Sequence, residues 1–345
     1  MTTNGVPLPA LEMPGWAEPL VEACRDCGED AETAVKLAAH YGRLLPQPGR
    51  GQTAQRWAVL AAAGEHNLTV ARVLEAHSDA LAILAEAGEP VPEGTWGVFA
   101  AEAAPHRLEA REQGGGGRVA LTGVKPWCSL AAVLDAALVT AHVGDGRQLF
   151  RVSLRDRSVT ADPPEVWVAR GLRTVTSGPV RFDGTPAEPV GAPGWYLERP
   201  GFAWGGMGVA ACWHGGARGL QATVARASRR RSGELSDLHV GIVDAELHAS
   251  EAALARAAAL IDAGRAEGVA GEILALRVRA VVASAAERII RQAGHALGPA
   301  PLAFDEEHAR RVADLELYVR QHHAERDLAQ LGHAVIAGLP EVNWA

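Results

Sequence analysis

The apolar pattern of this chain changes period twice, and that restricts it to a small set of architectures. Over residues 18–87 apolar side chains recur at helical spacing, as at Val70, Val73, Leu74, His77, Leu81 and Leu84. Over 96–195 the signal becomes short β-rich runs at 133–143, 148–154, 166–168 and 179–182, separated by Gly-Asp-Gly, Arg-Asp-Arg, Asp-Pro-Pro and Asp-Gly turns. After Gly201 the helical period returns in stretches at 209–231, 237–263, 271–296 and 306–331. The expected fold class is therefore α+β, an all-β insert between two helical regions, with no internal repeat. Gly205-Gly206 and Gly215-Gly216 mark points where two helices, or a helix and a cofactor, approach closely.

Charge and cysteine content narrow the function classes. A net charge of -8 in 345 residues argues against a polyanion-binding surface, and Arg229, Arg230 and Arg231 form too short a cluster to change that. Residues 1–19 lack a basic-then-apolar leader, and no apolar run approaches the ~18 residues of a membrane span, so a cytoplasmic protein is expected, without nucleic acid or membrane as partner. Four cysteines are too few for a disulfide framework. Cys24 and Cys27 form a CxxC pair with no second pair or nearby histidine, which reads as two thiols on one helical face.

The richest local stretch is Leu121-Thr-Gly-Val-Lys-Pro-Trp-Cys-Ser129. A glycine turn at 114–117 re-enters a strand that ends in an indole beside small polar side chains. A planar heteroaromatic ring can stack on Trp127 while the Ser129 hydroxyl bonds its rim; equally, this is a hairpin with a core tryptophan.

These residues resemble the flavin-facing strand of the acyl-CoA dehydrogenase superfamily, L-x-G-x-K-x-W-[ITS]-[ST], with Leu121, Gly123, Lys125, Trp127 and Ser129 in register. Helices, then β, then four helices is also that family's chain order. The resemblance implies an N-terminal helical domain (1–92), a middle β-barrel domain that faces the flavin (93–198) and a C-terminal four-helix bundle (199–345). Four further stretches are similar to family segments. Residues 64–84 resemble the helices over the acyl site, with the chemistry of His77 left open. Residues 96–105, WGVFAAEAAP, look like the strand ending A-x-T-E-P, with Glu102 in the Glu position and Ala101 where a Thr hydroxyl is usual. This leaves backbone groups of Phe99 and Ala101 to meet the flavin. Residues 227–239, ASRRRSGELSDLH, set Arg230 on the arginine that pairs with the flavin pyrophosphate and Ser232 on its hydroxyl neighbour, with the family's Phe deleted. Residues 292–298, QAGHALG, resemble Q-x-x-G-G-x-G, a turn that embraces a neighbouring subunit's cofactor; Gln292 and Gly294 remain, and His295 or Ala296 replaces a Gly.

The resemblance implies FAD as cofactor, with Trp127, Cys128 and Ser129 on the sheet side and Arg230, Ser232, Gln292 and Gly294 at the pyrophosphate. It also implies a homodimer or homotetramer. Near the C-terminus the family base is a Glu, and aligning on Asp314 sets His322 at that position in 313–327, ADLELYVRQHHAERD. Leu315, Tyr318, Val319 and His322 share one face at i, i+3, i+4 and i+7, which turns His322 inward on a continuous helix. An inward His322 serves as base for α-proton removal, as proton-transfer group in a monooxygenase, or as a bonded core histidine. Three functions follow. The first is an FAD-dependent oxidoreductase that oxidises an acyl thioester or similar small molecule at the α,β positions. The second is a flavin-dependent monooxygenase of the two-component type, served by an electron-transfer or flavin reductase partner. The third is a binding or scaffold homologue that has lost catalysis.

Overall fold

The computed structural model describes residues 11–91, 93–113, 119–231 and 233–338. In chain order the helices are α1 (Glu18–Cys27), α2 (Ala31–Tyr41), α3 (Thr53–His66), α4 (Leu68–Glu86), α5 (Trp195–Glu198), α6 (Pro200–Arg230), α7 (Glu234–Asp262), α8 (Gly268–Leu297), α9 (Ala300–Phe304), α10 (Glu306–Tyr318) and α11 (Glu325–Gly338). The strands are β1 (Trp96–Phe99), β2 (Leu108–Glu112), β3 (Val119–Lys125), β4 (Ala136–Val143), β5 (Gly146–Ser153), β6 (Val159–Ala161) and β7 (Val180–Val190). The fold is the expected mixture of helical regions around an all-β insert. The chain gathers into two compact units. One holds residues 19–45 and 69–202, and the other holds 1–18, 46–68 and 203–345.

In the first unit, β4 pairs with β5, β5 with β7, β7 with β3 and β3 with β2, all antiparallel, and β2 meets β4 in parallel at Glu109 and His142. Those five strands close into a small barrel, which removes their open edges. β1 adds to β4 in parallel and β6 to β7. The outer side of the barrel wall carries α4, whose Ala80, Leu81, Ile83 and Leu84 bury against Trp96, Leu138, Leu149, Val190 and Tyr196. The glycine of the L-x-G-x-K stretch is dictated by geometry. Gly123 has φ 127°, and a Cβ there would lie 2.2 Å from the Arg107 carbonyl oxygen.

Lys125 points into the barrel and is 1% exposed. An unpaired ammonium is not tolerated there. Its Nζ donates to Glu102 Oε1 at 2.5 Å and to Thr140 Oγ1 at 2.8 Å. His142 Nε2 and Arg147 Nη1 stand 3.6 and 3.9 Å from the same carboxylate.

The second unit is helical. α3 packs on α7, α7 on α8 and α8 on α11. α3 and α6 meet at backbone contact: a Cβ on Gly64 would lie 2.6 Å from the Cys212 carbonyl oxygen, and one on Gly215 2.0 Å from that of Ala61. The Gly215-Gly216 pair thus serves helix packing. At Gly206 the nearest atom to an added Cβ is the Arg279 side chain at 3.5 Å, an ordinary contact.

Two sequence expectations are corrected. Residues 166–168 do not form a strand, because Pro163 and Pro164 fix φ and start a 3₁₀ turn, Pro164–Val166, that leaves Val166 and Val168 exposed. The last helix is not continuous over 306–331. α10 ends at Tyr318, a 3₁₀ turn follows over Val319–Gln321, and α11 begins at Glu325 after Ala324 at φ 46°. The glycine turn at 114–117 lies outside the described residues. Cys24 and Cys27 both lie buried on α1, where burial, with Cys27 beside it, pushes the Cys24 thiol up to about 12.

The barrel ion pair yields a prediction. Glu102→Gln leaves Lys125 charged and unpaired, so the melting transition should drop with a loss of about 3 kcal/mol, and Glu102→Gln with Lys125→Met should recover most of it. An unchanged melting curve for the single variant contradicts this role.

Candidate functional site

The Trp127 loop is built by what precedes it. β3 sends Lys125 inward, Pro126 ends the pairing, and the chain turns at Trp127 with φ 59°. A bulky residue in the left-handed region costs about 1–3 kcal/mol and persists only where the surroundings impose it. Here Cys128 N–H donates to the Gly178 carbonyl (3.0 Å) and Leu130 N–H to that of Thr176 (2.7 Å). The consequence is an indole 56% exposed on an otherwise buried segment. Trp167, anchored by Nε1 to the Leu172 carbonyl at 3.2 Å, meets Trp127 edge-on at 6.4 Å and 88°. Cys128 is buried, its Sγ donates to the Lys125 carbonyl at 3.3 Å, and burial raises its pKa. Its thiol therefore stays protonated and faces inward, so only its backbone can meet a ligand. Ser129 Oγ lies 2.8 Å from Ser177 Oγ and accepts from Arg72 Nη2 at 3.3 Å, and Arg72 in turn donates to Glu75 at 2.9 Å. Phe99, the last residue of β1, is buried, and Ala101 beyond it is exposed. Glu102 is engaged as the counter-ion of Lys125, which removes it as a free carboxylate.

In the helical unit, α6 ends at Arg230 and α7 starts at Glu234. Ser232, between them, lies outside the described residues. A cleft of about 210 Å³ is lined there by Ser228, Arg230, Arg231, Ser236, His239 and Ala296, among others. The end of α6 and the end of α8 thus come together at one cleft. Gln292 Oε1 is 3.0 Å from Nδ1 of His239, itself a residue of the cleft. At Gly294 an added Cβ would meet nothing within 4 Å, so packing does not demand a glycine there.

His322 is 9% exposed, although not for the helical reason expected: it follows the 3₁₀ turn in extended backbone, φ -84° and ψ 121°. Its N–H donates to the Val319 carbonyl at 2.9 Å, and its Nε2 is buried without a hydrogen-bond partner, 4.0 Å from Asp327 Oδ2. Burial lowers its pKa, with Asp327 opposing and Arg279 adding to the shift. The turn is fixed by Arg279, which donates to the Gly206 carbonyl (2.8 Å) and the Gln321 carbonyl (2.7 Å) and lies over the Trp213 ring at 4.9 Å. Sequence reasoning missed Arg279, yet it interrupts the stripe Ala275, Val282 and Ala286 at helical spacing, and a charge in such a stripe is the signal that finds it. Among the described residues no group of three or more His, Cys, Asp or Glu could hold a metal ion.

No family model matches the sequence, and no curated protein matches it. Solved structures do. Over 93% of this chain and 96% of the other, the fold is similar to FMN-bound TdsC from Paenibacillus sp. A11-2, with 16% identity and a TM-score of 0.78. It is similar to KijD3 in complex with FMN and dTDP-3-amino-2,3,6-trideoxy-4-keto-3-methyl-D-glucose, over 98% of both chains with 17% identity and a TM-score of 0.77. Butyryl-CoA dehydrogenase from Megasphaera elsdenii is similar over 94% of this chain and 99% of the other, with 15% identity and a TM-score of 0.75. The chain has the acyl-CoA dehydrogenase fold.

Two other buried histidines of this acyl-CoA dehydrogenase fold are structural. His77 Nδ1 accepts the Trp96 N–H at 3.1 Å, its ring lies against Gly42, and burial pushes its pKa down to about 4. His214 Nδ1 is 2.7 Å from Ser250 Oγ, which donates to the Leu247 carbonyl at 2.9 Å, so the imidazole carries its proton on Nδ1. Burial pushes its pKa down to about 3. Both rings are neutral when folded and take up a proton on unfolding below pH 6.5. Their stabilisation is therefore present above that value and is lost as pH falls toward the folded pKa. Between about pH 6.5 and pH 5 each should cost about 2 kcal/mol of unfolding free energy. Urea unfolding at the two pH values measures it; His214→Gln should flatten the dependence, and an equal slope in that variant contradicts it.

Proposed function

We propose that this chain is a flavin-dependent oxidoreductase acting on a small molecule, with His322 as the proton-transfer group. The observation that carries the reading is Trp127: a strained, exposed indole beside a hydroxyl, on a barrel unit whose fold is similar to that of FMN-bound TdsC and of KijD3 with FMN. The donor set suits an isoalloxazine, since Trp127 offers a face, Ser129 a hydroxyl and the exposed Ala101 segment its backbone groups. The flavin, when bound, supplies the electron-pair acceptor or, reduced, the means of activating dioxygen.

The chain's own residues then have distinct tasks. Trp127 would stack on the ring, and Ser129 would meet its edge. Arg230, with Arg231 and His239 around the cleft, offers a forked cationic contact for phosphate. We take FAD as the cofactor because the cleft presents two arginines, Arg230 and Arg231, enough for the two phosphates of a dinucleotide. Large apolar side chains next in sequence to the cleft residues, Leu235, Leu238 and Leu302, and Phe304 three residues beyond Pro301, are exposed, which supports a homodimer or homotetramer in which a neighbouring copy covers them.

The substrate reaction turns on His322. A base suited to removing the α-proton of an acyl thioester has a pKa near or above neutrality. His322 is shifted the other way. Oxidation at the α,β positions remains the first reading of the resemblance, but the weak basicity favours the second, oxygen transfer to a small molecule with reduced flavin delivered by a reductase partner. Here TdsC, which is a dibenzothiophene monooxygenase, is the relevant similar structure. In either reaction a neutral His322 Nε2, buried and without a partner, accepts or returns one substrate proton.

Two measurements test the proposal. His322→Gln should lower turnover about a hundredfold while flavin affinity stays unchanged, and wild-type activity should stay level down to pH 6.5 before falling in acid; full activity in the variant contradicts the assignment. Arg230→Ala should weaken FAD binding by about tenfold or more and leave riboflavin binding unaltered. Equal FAD affinity in the variant overturns the role of the cleft.

A further inference from the structure

We propose that the cleft between the end of α7, the first turns of α8 and α11 is a binding site for a small organic anion with an aliphatic body, a medium-chain carboxylate being the simplest member of that class. The cleft encloses about 460 Å³, within the range of small-ligand sites, and lies wholly in the helical unit. Its floor is aliphatic: Leu260 from α7, Ile273 and Leu274 from α8, and Ala334 and Val335 from α11, each partly buried. Its charge is all of one sign. Arg256, Arg265 and Arg277 line it, and no carboxylate does.

Local structure places the three guanidinium groups. Arg256 sits one turn before Leu260 on α7, and Arg277 one turn after Ile273 on α8, so each is carried on the same helix face as the apolar side chains. Arg265 is folded back by the end of α7: Gly264 takes φ 66°, and the Arg265 N–H donates to the Leu260 carbonyl at 2.8 Å, the closing bond of a left-handed cap. Among the described residues none of the three is in an ion pair. The same helix pair does join other charges, as Arg288 of α8 bonds Glu246 of α7 at 2.7 Å. Asp262, at the end of α7, is spent on the Gly51 and Thr53 amides, both at 3.0 Å, and Glu267 and Glu272 do not line the cleft. The dipole of α7 accounts for Arg265 alone, since Arg277 stands in the third turn of α8. On the rim, Val269 and Ile336, next in sequence to lining residues, are exposed. A carboxylate offers two oxygens to a guanidinium fork, and an aliphatic body covers the floor beneath. Arg277 lies two residues from Arg279, which puts the two on opposite sides of α8 and separates this cleft from the His322 turn. Ala296, in the Arg230 cleft, is roughly 35 Å further along α8 than Ile273 at about 1.5 Å per residue.

The test is calorimetric titration of the full-length protein with octanoate, butanoate, octanol and inorganic phosphate at one salt concentration. Octanoate should saturate a single site and bind more tightly than butanoate by on the order of a hundredfold. Octanol, which lacks the charge, should bind at least about tenfold more weakly than octanoate. Arg256→Gln and Arg277→Gln should each weaken octanoate by about tenfold, while Arg288→Gln, outside the cleft, leaves its affinity unchanged. All three cleft arginines are exposed, so their variants should melt as the wild type does. Absence of saturable octanoate binding, phosphate or octanol binding as tightly as octanoate, or unchanged octanoate affinity in Arg256→Gln and Arg277→Gln overturns the inference. Capture of the protein by phosphatidylglycerol vesicles without octanoate binding, or loss of self-association in these variants with octanoate affinity intact, also overturns it and assigns the arginines to a membrane surface or to a second copy of the chain.

Discussion

The barrel unit depends on one buried ammonium. Lys125 is drawn into the barrel by the strand that carries it, and it is tolerated there only because Glu102 and Thr140 receive its hydrogens. That requirement ties three segments together: β3, the loop after β1 and the middle of β4. The two loops that offer groups to a ligand, Ala101 on one and Trp127 to Ser129 on the other, each begin one or two residues from this pair. A two-residue step from Lys125, through Pro126, then forces the turn at Trp127 and brings the indole out. Polar satisfaction inside the barrel and exposure of an aromatic face outside it are consequences of the same constraint.

Much of this was legible in the sequence. The change from helical to alternating period marks the barrel strands, and Gly123, Lys125 and Trp127 each occupy their positions for a reason seen in the fold: close backbone approach, a buried ammonium with a counter-ion, and a strained turn. The break after α10 was not legible, because residues 319–324 contain neither proline nor glycine. It is made by tertiary contacts, the Arg279 guanidinium on the Gln321 carbonyl and the Asp327 carboxylate on the His323 N–H at 3.0 Å. Residues 166–168 differ for the opposite reason: Val166 and Val168 suit a strand, but the prolines at 163 and 164 override them. The Arg72 and Ser177 contacts to Ser129 span 57 and 48 residues, and nothing local announces them.

The buried histidines divide by what holds them. His77 and His214 each spend one nitrogen on a defined partner and sit inside packed helices, where their depressed basicity is a burden on the fold in acid. His322 instead closes a turn that Arg279 fixes from α8, and its Nε2 has a neighbouring carboxylate at 4.0 Å without a bond to it. The second nitrogens of His77 and His214 are buried without a partner as well, so what sets His322 apart is its place in a turn beside Asp327, and its proton-transfer role is our proposal.

We propose that the exposed face of Trp127 is where a flavin ring lies. A crystal structure of the protein with FAD or reduced FMN tests it most directly. The expected result is the isoalloxazine stacked on the Trp127 indole with its edge at Ser129. A flavin bound elsewhere, or a saturated protein in which the Trp127 face stays open to solvent, would contradict it.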